Sequence, residues 1–325
     1  MKLPVYADVA RAGERLAGVA VRTPLLQNAT LDALTGGRIL LKPECLQRVG
    51  AFKLRGAYNR IADVDREAFP GGVVACSSGN HAQGLAAAAA LLGHRAAVVM
   101  PADAPALKIE RTRSLGAEVV LYDREREDRD AIARAIGAER RADFIHPFDD
   151  AGVIAGQGTV GLEIVADVRA LGAALDAVLV PCSGGGLASG IALAAKHDDP
   201  RIAVHTVEPH GFDDFARSLA AGERLANARV SGSIADALMA PSPGRIAFAI
   251  GSALFAPGLV VTDAEMRAAM RFAFAELKLV LEPGGAAALA ALLTGRYDAR
   301  GRTVAVVLSG GNVDAASFGA VIAGA

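Results

Sequence analysis

Lys53 stands in Ala51-Phe52-Lys53-Leu54-Arg55-Gly56-Ala57, and Ser77-Ser78-Gly79-Asn80-His81-Ala82-Gln83-Gly84 follows it. A lysine amine is a nucleophile only when neutral, and partial burial or a neighbouring cation lowers its pKa. Phe52 would supply an apolar wall and Arg55 a nearby charge. The Ser/Gly/Asn turn opens a helix, so its backbone N–H groups are free and the helix dipole favours an anion such as a carboxylate. Ordinary structure also accounts for these residues: a surface lysine starting a helix, and Ser or Asn as an N-cap.

Two glycine loops add to this set. Ser183-Gly184-Gly185-Gly186-Leu187 follows an apolar strand and opens a helix, where glycines let the backbone approach an anion closely. That supports a phosphate site without identifying the ligand. Gly184-x-Gly186-x-x-x-Gly190, with Glu208 ending the next strand, also approximates a dinucleotide fingerprint. The dinucleotide reading leaves Lys53, the 77–84 turn and Ser309 without a role. Ser309-Gly310-Gly311-Asn312 follows a further strand, and a turn alone explains its glycines. Glu208-Pro209-His210-Gly211-Phe212-Asp213-Asp214 gathers three carboxylates after a strand, either a solvated acidic loop or oxygen ligands for a hard cation.

The elements that position these loops alternate. Strands are expected at Ala96–Met100, Glu118–Tyr122, Ala177–Val180, Arg201–Val207 and Thr303–Leu308, with another at Val73–Cys76. Helices are expected at His81–Leu92, Ala104–Leu115 and Leu187–Lys196. This β-α-β rhythm implies an α/β fold of parallel sheets covered on both faces. The charged stretch Asp123–Asp130 reads as a solvated helix face.

With 325 residues and 52% hydrophobic content, the chain can bury a large core. A net charge of −1 and 5% aromatics argue against nucleic-acid and anionic-membrane partners. Cys45, Cys76 and Cys182 are too few and scattered for a disulfide framework, which suits a reducing cytoplasm. No signal peptide opens the sequence, and the run Leu85–Leu92 is too short to span a bilayer.

Taken together, the four segments around Lys53, Ser77–Gly84, Ser183–Leu187 and Ser309 resemble the serine/threonine dehydratase and serine racemase family. These are pyridoxal phosphate enzymes of fold type II, and the resemblance covers almost the whole chain. It implies a large domain (1–53 plus 149–325), a small inserted domain (54–148), and the cofactor between them. By resemblance, Lys53 forms the Schiff base and moves the α-proton, with Phe52 beside it. Asn80 contacts the cofactor 3-hydroxyl, and Ser77, Ser78, Gly79, Asn80 and His81 line the substrate carboxylate site. Ser78 is also the candidate acid/base on the face opposite Lys53. Ser183, Gly184, Gly185, Gly186 and Leu187 hold the phosphate; the family usually has a glycine where Ser183 stands. Ser309 meets the pyridine nitrogen, and Glu282 orients a neighbour. A structural Mg²⁺ or Ca²⁺ is implied at Glu208, the Phe212 carbonyl and Asp214, and so is a homodimer.

The expected activity is α,β-elimination on a small β-hydroxy amino acid, L-threonine or L-serine by default, giving a 2-oxo acid and ammonia. A neutral serine at the pyridine nitrogen favours elimination over transamination. Alternatives are a racemase using Lys53 and Ser78, a dehydratase for a bulkier substrate such as phenylserine or 3-hydroxyaspartate, and a silent binding module that keeps the fold. The apolar segment Ala237–Gly244 falls where the family shapes its side-chain pocket, favouring an apolar substituent over a second carboxylate. The sequence ends shortly after the Ser309 loop, so no inhibition by isoleucine is expected.

Overall fold

The strands of this chain are short apolar runs without a polar alternation, the pattern of parallel strands buried on both faces. The computed structural model describes residues 2–77, 79–104, 106–123 and 125–324. Ser78, the expected second acid/base, lies outside the described residues.

In chain order the elements are α1 (Tyr6–Leu16), α2 (Ala29–Thr35), β1 (Arg38–Pro43), α3 (Lys53–Ile61), β2 (Gly72–Cys76), α4 (Asn80–Leu92), β3 (Ala96–Pro101) and α5 (Ala106–Ser114). Then come β4 (Glu118–Tyr122), α6 (Arg129–Arg140), β5 (Ala142–Phe144), α7 (Ala151–Ala170), β6 (Ala177–Pro181), α8 (Gly186–Asp198) and β7 (Ala203–Pro209). The chain closes with α9 (Asp214–Ala221), α10 (Arg245–Leu254), β8 (Leu259–Val261), α11 (Asp263–Phe272), α12 (Pro283–Leu293), β9 (Thr303–Leu308) and α13 (Ala315–Ala323).

The strands form two sheets, β1-β9-β6-β7-β8 and β4-β3-β2-β5, and every strand pair is parallel. Successive side chains of a strand point to opposite faces, and here each face meets a core. On β9, Val304, Val306 and Leu308 pack with α12, while Ala305 and Val307 pack with α8. On β2, Val73 and Ala75 pack with α3 and α4, while Val74 and Cys76 face α6. Each such buried aliphatic side chain is worth about 1.5–3 kcal/mol, so neither sheet can slip by one residue without exchanging its two cores.

The charged stretch 123–130 differs from expectation. Asp123 Oδ1 accepts from the Glu125 N–H, and Glu127 accepts from the Asp123 N–H. These local bonds offer the backbone a turn instead of a helix. The helix α6 begins only at Arg129, capped by Asp128.

Helix α7 is long and apolar enough to cross a membrane by length and composition, and is the one such helix among the described residues. It is packed against α1, α3 and α8 in the protein core. Its approach to α3 requires glycine: a Cβ on Gly156 would fall 2.6 Å from the Gly56 Cα. That contact seats the helix bearing Lys53 against a rigid neighbour.

Candidate active site

Lys53 is the first residue of α3. Its base is tied to the end of β9: the Phe52 N–H donates to the Ser309 carbonyl at 3.2 Å, and Ala51 pairs antiparallel with Gly310. The half-buried Lys53 ammonium donates to the Pro147 carbonyl at 2.9 Å and lies 5.1 Å from the centroid of the Phe52 ring. Burial pulls its pKa down to about 8, because a charged amine loses hydration there.

Arg55 does not contribute to that shift as the sequence suggested. Its guanidinium is fully buried and donates from Nε to Glu44 at 2.7 Å and from Nη1 to Glu163 at 2.7 Å. Lys42 completes the cluster by donating to Glu163 at 2.6 Å and to the Thr23 carbonyl at 2.6 Å. Two cations and two carboxylates neutralise one another, and the lowered pKa of Lys53 comes from burial alone.

Helix α4 opens at Gly79, an N-cap with no side-chain cap, and the Gly79 N–H donates to Ser77 Oγ at 3.2 Å. Asn80 donates through Nδ2 to Glu282 and accepts at Oδ1 from Asn312 at 2.8 Å. His81 is 2% exposed, and among the described residues neither ring nitrogen has a hydrogen-bond partner. Its pKa is driven well below the ordinary value by burial and then by the Lys53 charge. The Ile145 backbone lies near the ring without completing a hydrogen bond. Gln157 accepts at Oε1 from the Gly56 N–H at 3.2 Å, but its Nε2 is buried and has no partner among the described residues.

The glycine loop follows β6 and caps α8. Gly185 has φ +91°, and a Cβ there would fall 2.2 Å from the Phe215 ring. A Cβ on Gly184 would fall 2.2 Å from the Phe148 ring. Ser183 Oγ accepts from the Ala240 N–H at 3.1 Å, which leaves its hydroxyl proton free to donate. At the other end Glu282 is buried beside Gly310, its N–H donating to the Gly310 carbonyl at 3.2 Å. Burial pushes its carboxyl up to about 7 against the opposing hydrogen bond from Asn80.

One cleft collects these groups. Phe52, Lys53, Ser77, Gly79, Asn80, His81, the 183–187 loop and Ser309 all line it. Ser77, Ser183 and Ser309 follow the carboxyl ends of β2, β6 and β9, where open parallel sheets bind ligands. The sequence reading missed Cys76, Lys108, Arg129, Phe148, Gln157 and Asp236, which also line the cleft. Phe148 had a signal, since it follows the His146-Pro147 turn. Lys108, Arg129 and Asp236 had none, being ordinary charges in charged stretches. They qualify the expectation of an apolar side-chain pocket: Ala237–Pro241 line the cleft, but among charges.

The fit to pyridoxal phosphate rests on these observations. The N-cap of α8 is Gly185, which has no side chain to cap the helix and suits a phosphate; the N-cap of α4 is Gly79 and likewise suits a carboxylate. Unpaired His81 and Gln157 atoms in the cleft leave polar capacity for a guest.

Glu208 and Asp214 lie outside this cleft and are fully buried, so the segment is no solvated loop. Both Glu208 oxygens are engaged, accepting from the Phe215 and Ala216 N–H groups at 2.8 Å each. That carboxylate caps α9, which removes it from the ribose contact of the dinucleotide reading. Asp214 Oδ1 accepts from Asn227 at 2.6 Å, while Oδ2 is buried without a partner among the described residues. Burial raises both pKa values, that of Asp214 to about 6. Among the described residues no three His, Cys, Asp or Glu side chains cluster as metal ligands.

The sequence matches the pyridoxal-phosphate dependent enzyme family over residues 17–310. It is 41% identical over 324 residues to an L-threo-3-hydroxyaspartate ammonia-lyase of a Pseudomonas species, covering 100% of each chain. It is 40% identical over 309 residues to an L-threonine ammonia-lyase of Thermotoga maritima, covering 94% of this chain and 75% of that one. The structure of maize serine racemase superposes with a TM-score of 0.92 at 36% identity, covering 99% of this chain and 98% of that one. The chain belongs to the pyridoxal-phosphate-dependent enzyme family and has its type II fold.

Proposed function

We propose that this pyridoxal-phosphate-dependent enzyme is an ammonia-lyase that converts a β-hydroxy amino acid, L-threonine or L-serine by default, to a 2-oxo acid and ammonia. The observation that carries this is the meeting in one cleft of a half-buried lysine of lowered pKa and two helix N-termini whose N-cap is a glycine. The Pseudomonas and Thermotoga relatives, both named ammonia-lyases, support the reaction class.

When bound, pyridoxal phosphate supplies an electron sink for negative charge at the substrate Cα. In this reading Lys53 would hold the cofactor, and its neutral amine would take the substrate α-proton. The N–H groups of Gly184–Leu187 and the Ser183 hydroxyl would hold the phosphate. The Ser309 hydroxyl would bind the pyridine nitrogen. The opening turn of α4, with Ser77, Gly79, Asn80 and His81, holds the substrate carboxylate. Ser78 keeps its proposed place as the acid/base opposite Lys53.

The reading extends to the architecture. We take 54–148 as the small domain and 1–53 plus 149–325 as the large one; separate sheets support this, each with cores on both faces. We also propose a homodimer in a reducing cytoplasm, the latter supported by three unpaired cysteines. A structural Mg²⁺ or Ca²⁺ at Glu208, the Phe212 carbonyl and Asp214 belongs to the same reading. The unpaired, buried Asp214 Oδ2 beside a second carboxylate supports it.

A second substrate reading has its own support. Lys108 and Arg129 line the cleft, and cations there suit the extra carboxylate of 3-hydroxyaspartate, the substrate named for the Pseudomonas relative.

The test is release of 2-oxo acid by the cofactor-loaded protein from L-threonine, L-serine and L-threo-3-hydroxyaspartate, with Mg²⁺ present. Turnover of at least one is expected. D-serine formed from L-serine with little 2-oxo acid would select the racemase instead, and a loaded protein inert to all three would end the ammonia-lyase reading.

A further inference from the structure

Lys108 Nζ lies 2.6 Å from Asp236 Oδ2, an ion pair between residues 128 apart in the chain. Lys108 stands on α5, beside the four-stranded sheet. Asp236 stands in the 236–238 turn on the side of the five-stranded sheet, just before the apolar wall Ala237–Pro241. Both line the cleft. We propose that this pair reads the charge of the substrate's β-substituent: a second carboxylate takes the place of Asp236 on Lys108, and an uncharged substituent leaves the pair closed. The proposal rests on the reading of the cleft as an amino-acid site and deepens it by assigning substrate selection to two residues.

Three observations carry it. First, the pair can exchange partners. The side chains are 20% and 52% exposed, and among the described residues neither makes a second ion pair. An exposed pair contributes little and opens cheaply. The Arg55 cluster, by contrast, is sealed, and losing one member there strands a buried charge. Second, the pair acts inside the cleft. Its charges reach the buried Glu282 carboxyl next to Gly310, Asp236 raising that pKa and Lys108 lowering it. Third, the pair has the right chemistry. An ammonium already holding a carboxylate at hydrogen-bond distance can hold a substrate carboxylate the same way. Asp236 then supplies the repulsive half of the selection, because it must be displaced before a dianionic amino acid is seated. Arg129 lines the same cleft, its carbonyl accepting from the Cys76 thiol at 3.0 Å.

The experiment compares two amino acids that lack a β-leaving group, L-aspartate and L-2-aminobutyrate. Each is titrated into the cofactor-loaded protein and followed by the change in cofactor absorbance. The quantity read is the ratio of the two dissociation constants, so it needs no turnover and stands apart from the outcome of the 2-oxo acid assay. Lys108→Met should shift the ratio against L-aspartate by about tenfold, and Asp236→Asn should shift it toward L-aspartate by about fivefold, the scale of one exchanged charge contact. Lys108→Arg should restore most of the wild-type ratio. Arg201→Ala, which breaks an exposed pair with Asp199 away from the cleft, should leave it unchanged. Ratios within twofold of wild type in both Lys108→Met and Asp236→Asn, with cofactor bound and melting temperature retained, would overturn the proposal.

Discussion

Asn80 Nδ2 donates to Glu282 Oε1, joining the first residue of α4 to the cap of α12 across 202 positions of sequence. Asn312 donates in turn to Asn80 Oδ1 at 2.8 Å. The N-terminus of α4 and the loop after β9 are thereby held together as one wall. The buried carboxyl at its centre gives the wall a pH dependence.

Glu282 has its pKa raised by burial from 4.5 to about 7. A carboxyl raised on folding contributes stability that is full below the unfolded pKa and is lost as pH rises through the folded one. The wild-type apoprotein should therefore lose stability between pH 4.5 and about 7. Glu282→Gln keeps an acceptor for Asn80 and removes the titration. Its melting temperature should exceed wild type at pH 8, by an amount corresponding to about 3 kcal/mol, and should converge with wild type near pH 4. Thermal melts at several pH values decide it; parallel curves would refute the assignment.

Lys53 gives a second pH dependence, of the same origin in burial and opposite in direction. Its amine is neutral above about 8, and only the neutral amine attacks an aldehyde. The rate at which apoprotein captures pyridoxal phosphate should rise with pH and level off above that value. Lys53→Ala should lose at least about a hundredfold in any turnover. Stopped-flow capture across pH 6–10 is the measurement, and a flat profile would contradict the burial argument.

The Arg55 cluster predicts a change in stability without a change in this profile. Removing one member of a buried pair costs about 3–5 kcal/mol, since the other charge is left unpaired. Glu44→Ala should lose that much in denaturant unfolding. The double variant Glu44→Leu/Arg55→Leu should lose less than the sum of the two single changes. Neither single change should move the midpoint of cofactor capture, because the shift at Lys53 comes from burial.

Gly185→Ala tests the phosphate loop. It places a Cβ at φ +91° and 2.2 Å from Phe215, and strain of this kind costs about 1–3 kcal/mol. The loop must shift to accept it. Weaker retention of pyridoxal phosphate on dialysis is expected, with a smaller loss of apoprotein stability. Unchanged retention would show that the loop is not the phosphate seat.

Asp214→Asn tests the cation site. Mg²⁺ or Ca²⁺ should raise the melting temperature of wild type, by a shift worth about 1.4 kcal/mol at ten times the dissociation constant. The variant should respond little. Equal responses would place any bound ion elsewhere.

The sequence by itself determined many of the strands and helices around the cleft and the chemistry of the loops. Apolar runs such as Thr303–Leu308 and Ala177–Val180, short and rich in Val, read as strands buried on both faces, and the glycines after them as turns or points of close approach. These are local constraints, set by φ/ψ freedom and side-chain period, so they are legible one segment at a time. Tertiary structure decided which charges face which. Arg55, two residues from Lys53, points into a sealed cluster with Glu44 and Glu163. Lys108 and Asp236, far apart in sequence, meet at the cleft. Glu208 caps a helix with both oxygens. Long side chains reach several ångströms in directions that depend on what is packed beside them. Their partners are fixed by how the two sheets are placed, information that no local pattern carries.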